Sequence, residues 1–141
     1  NGYKRALEKN GLEYDEKLII RLKPGKRIYT IENGYNCTCE LLKSGVDFSC
    51  IYAISDTLAV GACRAIIDSG KRVPEDYCVA GADGQDIAEY YYPSITTLKY
   101  PRVETALQSV RTLFDLIDRK KVVKRQILSG TLIERESTRK L

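Results

Sequence analysis

Two short segments place polar side chains that could bind a ligand directly after an apolar stretch. Ser55 and Asp56 follow one apolar run, and Asp83 follows another. A carboxylate at such a position can accept hydrogen bonds from vicinal hydroxyls or from a ring N–H, which suits sugars and purines. Gly84 leaves the backbone free to turn sharply beside Asp83. Both segments are therefore candidate parts of a ligand-binding site.

Each of these residues also has a purely structural explanation. Ser or Asp before an apolar helical run commonly caps the helix, so Ser55 or Asp56 could serve the helix that follows them. Capping and ligand binding are compatible roles. Asp83 followed by Gly84 could equally form a turn that contacts no ligand. The residue types alone leave these alternatives open.

Tyrosines mark two further positions of interest. Tyr29 precedes a predicted helix and could stack on a flat or sugar-like ligand, although a place in the core or on the surface is the simpler interpretation. Tyr90, Tyr91 and Tyr92 are consecutive. Three consecutive aromatic side chains cannot all face one core, so we expect at least one at the surface or in an interface.

The composition argues against several classes of site. The chain contains no His, which excludes a Ser–His or Cys–His nucleophilic pair within it. Its five cysteines lack the spacing of a zinc site or a thioredoxin-like motif, and buried reduced thiols, typical of the cytoplasm, are the favoured interpretation. No glycine-rich phosphate loop is present. We expect no enzymatic activity, no metal and no cofactor, and no apolar run is long enough to cross a membrane.

Helical and strand patterns alternate along most of the chain, and these elements must position the polar residues. Strands are predicted at 17–22, 49–54, 77–82, 95–98, 125–128 and 132–134, and helices at 3–10, 30–43, 56–68, 85–91 and 101–119. This alternation predicts an α/β protein with a parallel sheet covered by helices on both faces, a three-layer sandwich. Ligands bind such sheets beyond the carboxyl ends of the strands, where Ser55, Asp56 and Asp83 fall.

Several segments together resemble the C-terminal half of LacI/GalR transcription regulators. They are AISDTLAVGA at 53–62, VPED at 73–76, VAGAD at 79–83, PSITT at 93–97 and the ending GTLIERES at 130–137. The resemblance covers essentially the whole chain, with the segments in the family's order and spacing. It implies a periplasmic-binding-protein-like fold of type I, in which two α/β lobes joined by three crossovers hold an effector in their cleft.

The resemblance also implies how the chain is divided. Residues 1–98 would belong to the C-terminal lobe, 99–124 to the N-terminal lobe, and 125–141 would cross back to the C-terminal lobe and end in the tail. The helix-turn-helix, the hinge helix, most of the first lobe and the first strand of the second would lie outside this chain. We therefore expect mostly a C-terminal lobe that does not bind operator DNA by itself.

The same resemblance assigns site residues. Asp83 corresponds to the effector-binding Asp that ends a strand, and Ser55 to the position before Asp in the family's Asn-Asp motif. Tyr29 aligns with an aromatic residue that stacks on the ligand, and Tyr100 with a cleft position. The family's dimer interface maps near Val60, Tyr90 and Tyr91.

Three cleft positions depart from the family's frequent residues. Ser55 stands in place of Asn, Ala82 in place of Tyr or Phe, and Tyr100 in place of Gln. The identity of the effector therefore cannot be taken from a relative.

The expected function is ligand sensing and dimerisation within a LacI-type regulator. A small metabolite, with sugars the first expectation, would close the cleft and shift a homodimer between two DNA-binding states. Operator DNA would be reached only through the helix-turn-helix that this chain lacks. One alternative is a sugar-binding protein of a transport system, against which the odd number of cysteines and the regulator-like tail argue. An enzyme that uses Asp56 and Asp83 as a carboxylate pair is a third hypothesis without a supporting nucleophile.

Overall fold

The computed structural model describes residues 2–22, 25 and 27–139, which alternate between helices and strands. The helices are α1 (Gly2–Lys9), α2 (Ile31–Lys43), α3 (Asp56–Asp68), α4 (Asp86–Tyr90) and α5 (Arg102–Ile117), with a 3-10 turn at Glu16–Leu18. The strands are β1 (Cys50–Tyr52), β2 (Cys78–Asp83), β3 (Thr96–Lys99) and β4 (Thr131–Ile133). The chain is therefore an α/β protein, as the sequence predicts.

The strands form one sheet in the order β1-β2-β3-β4. The pairs β1–β2 and β2–β3 are parallel, and β4 runs antiparallel to β3. In register, Tyr52 lies opposite Ala80, and Asp83 lies opposite Lys99. The carboxyl ends of β1, β2 and β3 consequently meet at one edge of the sheet.

The core lies where α3 packs against both the sheet and α2. Its centre is formed by Ala59, Ala62, Cys63, Ile66, Val79 and Ile95, which are almost completely buried. Two glycines bring the α2 and α3 backbones together. A Cβ atom on Gly61 would lie 2.0 Å from the carbonyl oxygen of Ile31, and one on Gly34 would lie 2.2 Å from that of Leu58. Only glycine permits this separation of the two helices.

The C-terminal segment is built into the sheet through Ser137. The β2–β3 ladder begins at Ala80, and just before it Ser137 lies between the two strands. The Ser137 hydroxyl donates to the carbonyl oxygen of Val79 at 2.6 Å and accepts from the N–H of Thr96 at 2.9 Å. The Ser137 carbonyl also accepts from the N–H of Val79 at 2.9 Å. The tail thus closes the amino-terminal end of the β2–β3 pair.

Two of the predicted strands are wrong. Residues 17–22 contain the end of a 3-10 turn, and no described strand pairs with them. Ile20 and Leu22 instead line an apolar groove of about 130 Å³ beside β1. Residues 125–128 also lie outside the sheet. An apolar run becomes a strand only where a neighbouring strand can satisfy its backbone hydrogen bonds, and neither run has such a partner among the described residues.

Helix α5 has the predicted amphipathic pattern but buries none of its residues. Its apolar side chains, Val103, Leu107, Val110, Leu113, Phe114 and Ile117, are between 52% and 69% exposed. Leu113 shares an open groove with Val123 and Leu128, and more than half of each of the six side chains is exposed. None of the helices in the described part of the chain is long and apolar enough to span a bilayer.

Candidate ligand-binding site

The carboxyl ends of the three parallel strands bring a carboxylate and two phenols to one edge. Tyr52 ends β1, Asp83 ends β2, and Tyr100 directly follows β3. Burial raises the pKa of Tyr52, and the neighbouring Tyr100 phenol and Asp83 carboxylate raise it further. The side chains of Tyr100 and Asp83 therefore both lie within electrostatic reach of the Tyr52 phenol. Both phenols remain substantially exposed.

Asp83 has an unusual backbone conformation. Its φ is +101°, in a region that residues other than glycine rarely adopt, and Gly84 follows with φ +65°. The N–H of Gly84 donates to Oγ1 of Thr97 at 3.3 Å. A Cβ atom on Gly84 would lie 2.6 Å from Cγ of Lys99, so only glycine fits there. The surroundings hold Asp83 in a strained conformation, a feature that concentrates at functional sites.

Asp56 lies beneath this edge and is completely buried. The Thr97 hydroxyl donates to its Oδ1 at 2.6 Å, and the backbone N–H of Gln85 donates to its Oδ2 at 2.6 Å. The carboxylate therefore connects the start of α3 to β3 and to the loop after β2. Gln85 also donates from its side-chain Nε2 to Oδ2 of Asp83 at 3.1 Å. Through Gln85, the buried carboxylate is linked to the partly exposed one.

Ser55 is the N-cap of α3, which confirms the capping interpretation for Ser55. Asp56 is the first residue of the helix, so the capping interpretation is wrong for Asp56. The Oγ of Ser55 accepts from the N–H of Leu58 at 3.3 Å, and the Ser55 side chain is buried. Ser55 Oγ also lies 3.0 Å from Oγ1 of Thr57, which donates to the carbonyl oxygen of Tyr29 at 3.1 Å. The Tyr29 ring is exposed, and its backbone is held against the start of α3.

The sequence did not predict a role at this site for four residues: Tyr52, Thr57, Gln85 and Thr97. Tyr52 could have been predicted, because a phenol near the carboxyl end of an otherwise apolar run is a candidate for the end of a strand. Thr97 is 41 residues from Asp56 in sequence, and Gln85 is 29 residues from it. Contacts at such separations leave no local pattern.

The predicted interface residues occupy different environments. Tyr90 is 84% exposed, as is its neighbour Tyr92, whereas Tyr91 packs against the core. Burial raises the pKa of Tyr91. The expectation that at least one of the three tyrosines is exposed is therefore confirmed. Val60 is buried within the chain and offers a partner little surface.

Within residues 2–22, 25 and 27–139, no group of three or more Cys, Asp or Glu side chains could bind a metal ion. None of the five cysteines, all of which the structure describes, forms a disulfide. The chemistry at the strand ends is thus that of hydrogen-bond acceptors, hydroxyls and aromatic rings.

The sheet is mostly parallel, and polar and aromatic side chains lie at the carboxyl ends of its strands, where α/β sheets commonly bind ligands. A family model described as "Periplasmic binding protein-like domain" matches residues 1–138, and the chain belongs to that family. The chain is 42% identical over 137 residues to the HTH-type transcriptional regulator MalR of Clostridium butyricum, an alignment that covers 97% of this chain and 39% of MalR.

Solved structures of regulators have the same fold. A complex of the transcriptional regulator CelR with cellobiose has a TM-score of 0.86 at 33% identity and covers 96% of this chain and 40% of that one. A lac repressor dimer bound to operator and the anti-inducer ONPF has a TM-score of 0.84 at 28% identity. That alignment covers 97% of this chain and 46% of the lac repressor chain. The resemblance to LacI/GalR regulators is confirmed. The chain spans less than half the length of these relatives.

Proposed function

We propose that this chain is the effector-sensing and dimer-forming part of a LacI-type transcription regulator, and that its effector is a neutral sugar. The observation that supports this proposal most directly is the strained backbone conformation of Asp83 beside the phenols of Tyr52 and Tyr100. Carboxylates that accept from ligand hydroxyls, together with aromatic faces, are suited to sugars. The cellobiose complex of CelR supports this class of ligand.

Each predicted site residue takes a distinct part in this proposal. Asp83 accepts hydrogen bonds from ligand hydroxyls, Tyr29 stacks on the ligand, and Tyr100 contributes its phenol. Ser55 and Asp56 are buried, so they act by fixing the start of α3 and the loop after β2. The sugar is thereby held by groups whose positions the fold determines.

The division of the chain between two lobes is also a proposal. Residues 1–98 and 125–141 form the C-terminal lobe, and 99–124 form part of the N-terminal lobe. The pairing of β4 with β3 supports the return of the chain to the C-terminal lobe. The exposed apolar face of α5 supports the contact of this helix with the rest of the N-terminal lobe.

The partners follow from the same proposal. The regulator is a cytoplasmic homodimer whose interface includes Tyr90, Tyr91 and the surroundings of Val60, and the exposure of Tyr90 supports this surface. Operator DNA is bound by a helix-turn-helix outside this chain. The lac repressor structure, a dimer on its operator, is consistent with this arrangement. Because the relatives are regulators, we assign no catalytic role.

Calorimetric titration of the full-length protein with cellobiose, ribose and a panel of other neutral sugars tests the assignment. Asp83→Asn removes the charge, and Asn tolerates a positive φ, so this variant is expected to fold and to lose most of the affinity. Asp86→Asn, an exposed acidic residue three positions further on, is the matched control and should bind normally. Undiminished binding by Asp83→Asn would show that the site is elsewhere.

A further inference from the structure

Gln85 contacts both carboxylates at the strand-end edge through different groups. Its backbone N–H donates to Asp56, and its side-chain amide donates to Asp83. Because Asp56 also accepts from the buried Thr97 hydroxyl, its position is fixed by β3. The backbone of Gln85 is therefore anchored independently of its side chain, and the side chain reaches Asp83 from a fixed point.

The amide of Gln85 suits the task of orienting a carboxylate. One Asp83 oxygen is engaged by Nε2, which restricts rotation of the carboxylate and leaves its other acceptor positions for a ligand. A neutral donor adds no positive charge beside Asp83, unlike an Arg or Lys partner. When Nε2 faces Asp83, the amide carbonyl oxygen supplies a second acceptor nearby. Two adjacent acceptors are complementary to two adjacent hydroxyl donors.

We propose that Gln85 is a positioning residue for the ligand-binding carboxylate of Asp83, and that the pair selects neutral ligands with two neighbouring hydroxyls over anionic ones. This inference rests on the proposed function, since it requires that Asp83 accept hydrogen bonds from the ligand. The residue that determines selectivity therefore lies two positions after the carboxylate, at the start of α4.

Other charged and titratable groups surround the pair. Lys99 lies opposite Asp83 in the β2–β3 register, and its side chain packs over Gly84. Tyr52 approaches from β1, Asp56 from the start of α3, and Asp86 follows in α4. All of them are retained when Gln85 alone is changed. The wild-type affinity at each pH is therefore the reference for the contribution of these groups.

The experiment measures sugar affinity of the full-length protein at about pH 8 and about pH 5. The neutral probes are cellobiose and ribose, and the anionic probe is ribose 5-phosphate. Gln85→Leu removes the donor and should weaken neutral-sugar binding about tenfold at both pH values. Gln85→Glu places two carboxylates together and should bind more weakly still at about pH 8. At about pH 5 a proton shared between the carboxyl groups restores a donor, and affinity should recover towards wild type.

Two controls separate positioning from a structural role. Both Gln85 variants keep the backbone bond to Asp56, so their melting temperatures without sugar should stay close to wild type. Asn36→Asp and Asn36→Leu make matching changes at an exposed amide on α2 and should leave affinity unchanged at both pH values. Recovery of Gln85→Glu at low pH, with the same melting temperature relative to wild type at both pH values, is the result that loss of structure cannot produce.

The contrary outcomes are distinct. Wild-type affinity in Gln85→Leu, with Asp83→Asn impaired, overturns this inference and leaves the proposed function intact. A Gln85→Glu variant that is equally weak at both pH values also overturns it. Ribose 5-phosphate binding as tightly as ribose overturns the selectivity for neutral ligands. If wild-type protein binds none of the neutral sugars, the proposed function fails and this inference fails with it.

Discussion

The hydroxyl of Thr97 donates a 2.6 Å hydrogen bond to Oδ1 of Asp56, and both side chains are completely buried. This bond joins the first residue of α3 to the third strand of the sheet. The second oxygen of Asp56 accepts from the backbone of Gln85, so a single carboxylate fixes the loop that follows Asp83. The proposed ligand-binding edge, with its exposed side chains, is thus supported by a buried polar pair.

Replacing Thr97 with Val should destabilise the protein by roughly 2 kcal/mol, because it leaves one oxygen of a buried carboxylate without its donor. The shape of the side chain is nearly unchanged, so packing contributes little. Urea unfolding measures the effect. Thr97→Ser retains the hydroxyl and should lose much less stability, and Thr131→Val, at an exposed position on β4, should be close to neutral. Equal stability of the Val and Ser variants would mean that the bond contributes nothing.

Gly61→Ala should be strongly destabilising, by more than about 3 kcal/mol, or should prevent folding. The added methyl group would lie 2.0 Å from the Ile31 carbonyl oxygen, and a backbone atom cannot move aside as a flexible side chain can. Thermal unfolding monitored by circular dichroism measures the loss. Gly2→Ala is the matched control, since no atom lies within 4 Å of its added methyl group. If Gly61→Ala melts like wild type, the helices must be further apart than described.

Ser137→Ala should cost roughly 3 kcal/mol, because it removes one hydrogen bond to each of two strands. The Val79 carbonyl and the Thr96 N–H would both be left without that partner in a buried position. Amide hydrogen exchange at Thr96 should accelerate more than exchange in α3, since the opening is local. Ser129→Ala changes an exposed serine in the same C-terminal region and should alter neither quantity. Unchanged exchange at Thr96 would argue against this role for Ser137.

The sequence predicted correctly those helices and strands whose residue pattern depends on no partner elsewhere in the chain. Helix α5 has an apolar face at helical spacing, and β2 is a continuous apolar run, so each was found near its observed bounds. Residues 17–22 look equally like a strand, but strand formation depends on a pairing partner that an apolar run does not reveal. A cap such as Ser55 is a local feature and was predicted as one of two roles.

The site was predictable to a different extent. Asp83 could be singled out because a carboxylate and a glycine follow an apolar run. Its positive φ and the hydrogen bond from Gln85 could not be predicted from the sequence, because both depend on the hydrogen bond between the loop backbone and Asp56. The link from Asp56 to Thr97 spans 41 residues and uses a threonine that resembles any other β-strand threonine.

The buried thiol of Cys63 should make the protein less stable at alkaline pH. Burial raises the pKa of this thiol from 9.0 to about 12, since the thiolate would be desolvated in the core. The folded-state pKa is the higher one, so the full stability is present below about pH 9 and is lost as pH rises towards 12, by roughly 4 kcal/mol in all. Urea unfolding between about pH 8 and pH 10 should therefore show a decline that Cys63→Ala reduces. Cys39→Ala, on α2, should retain it, and an identical pH dependence in Cys63→Ala and wild type would exclude Cys63 as its source.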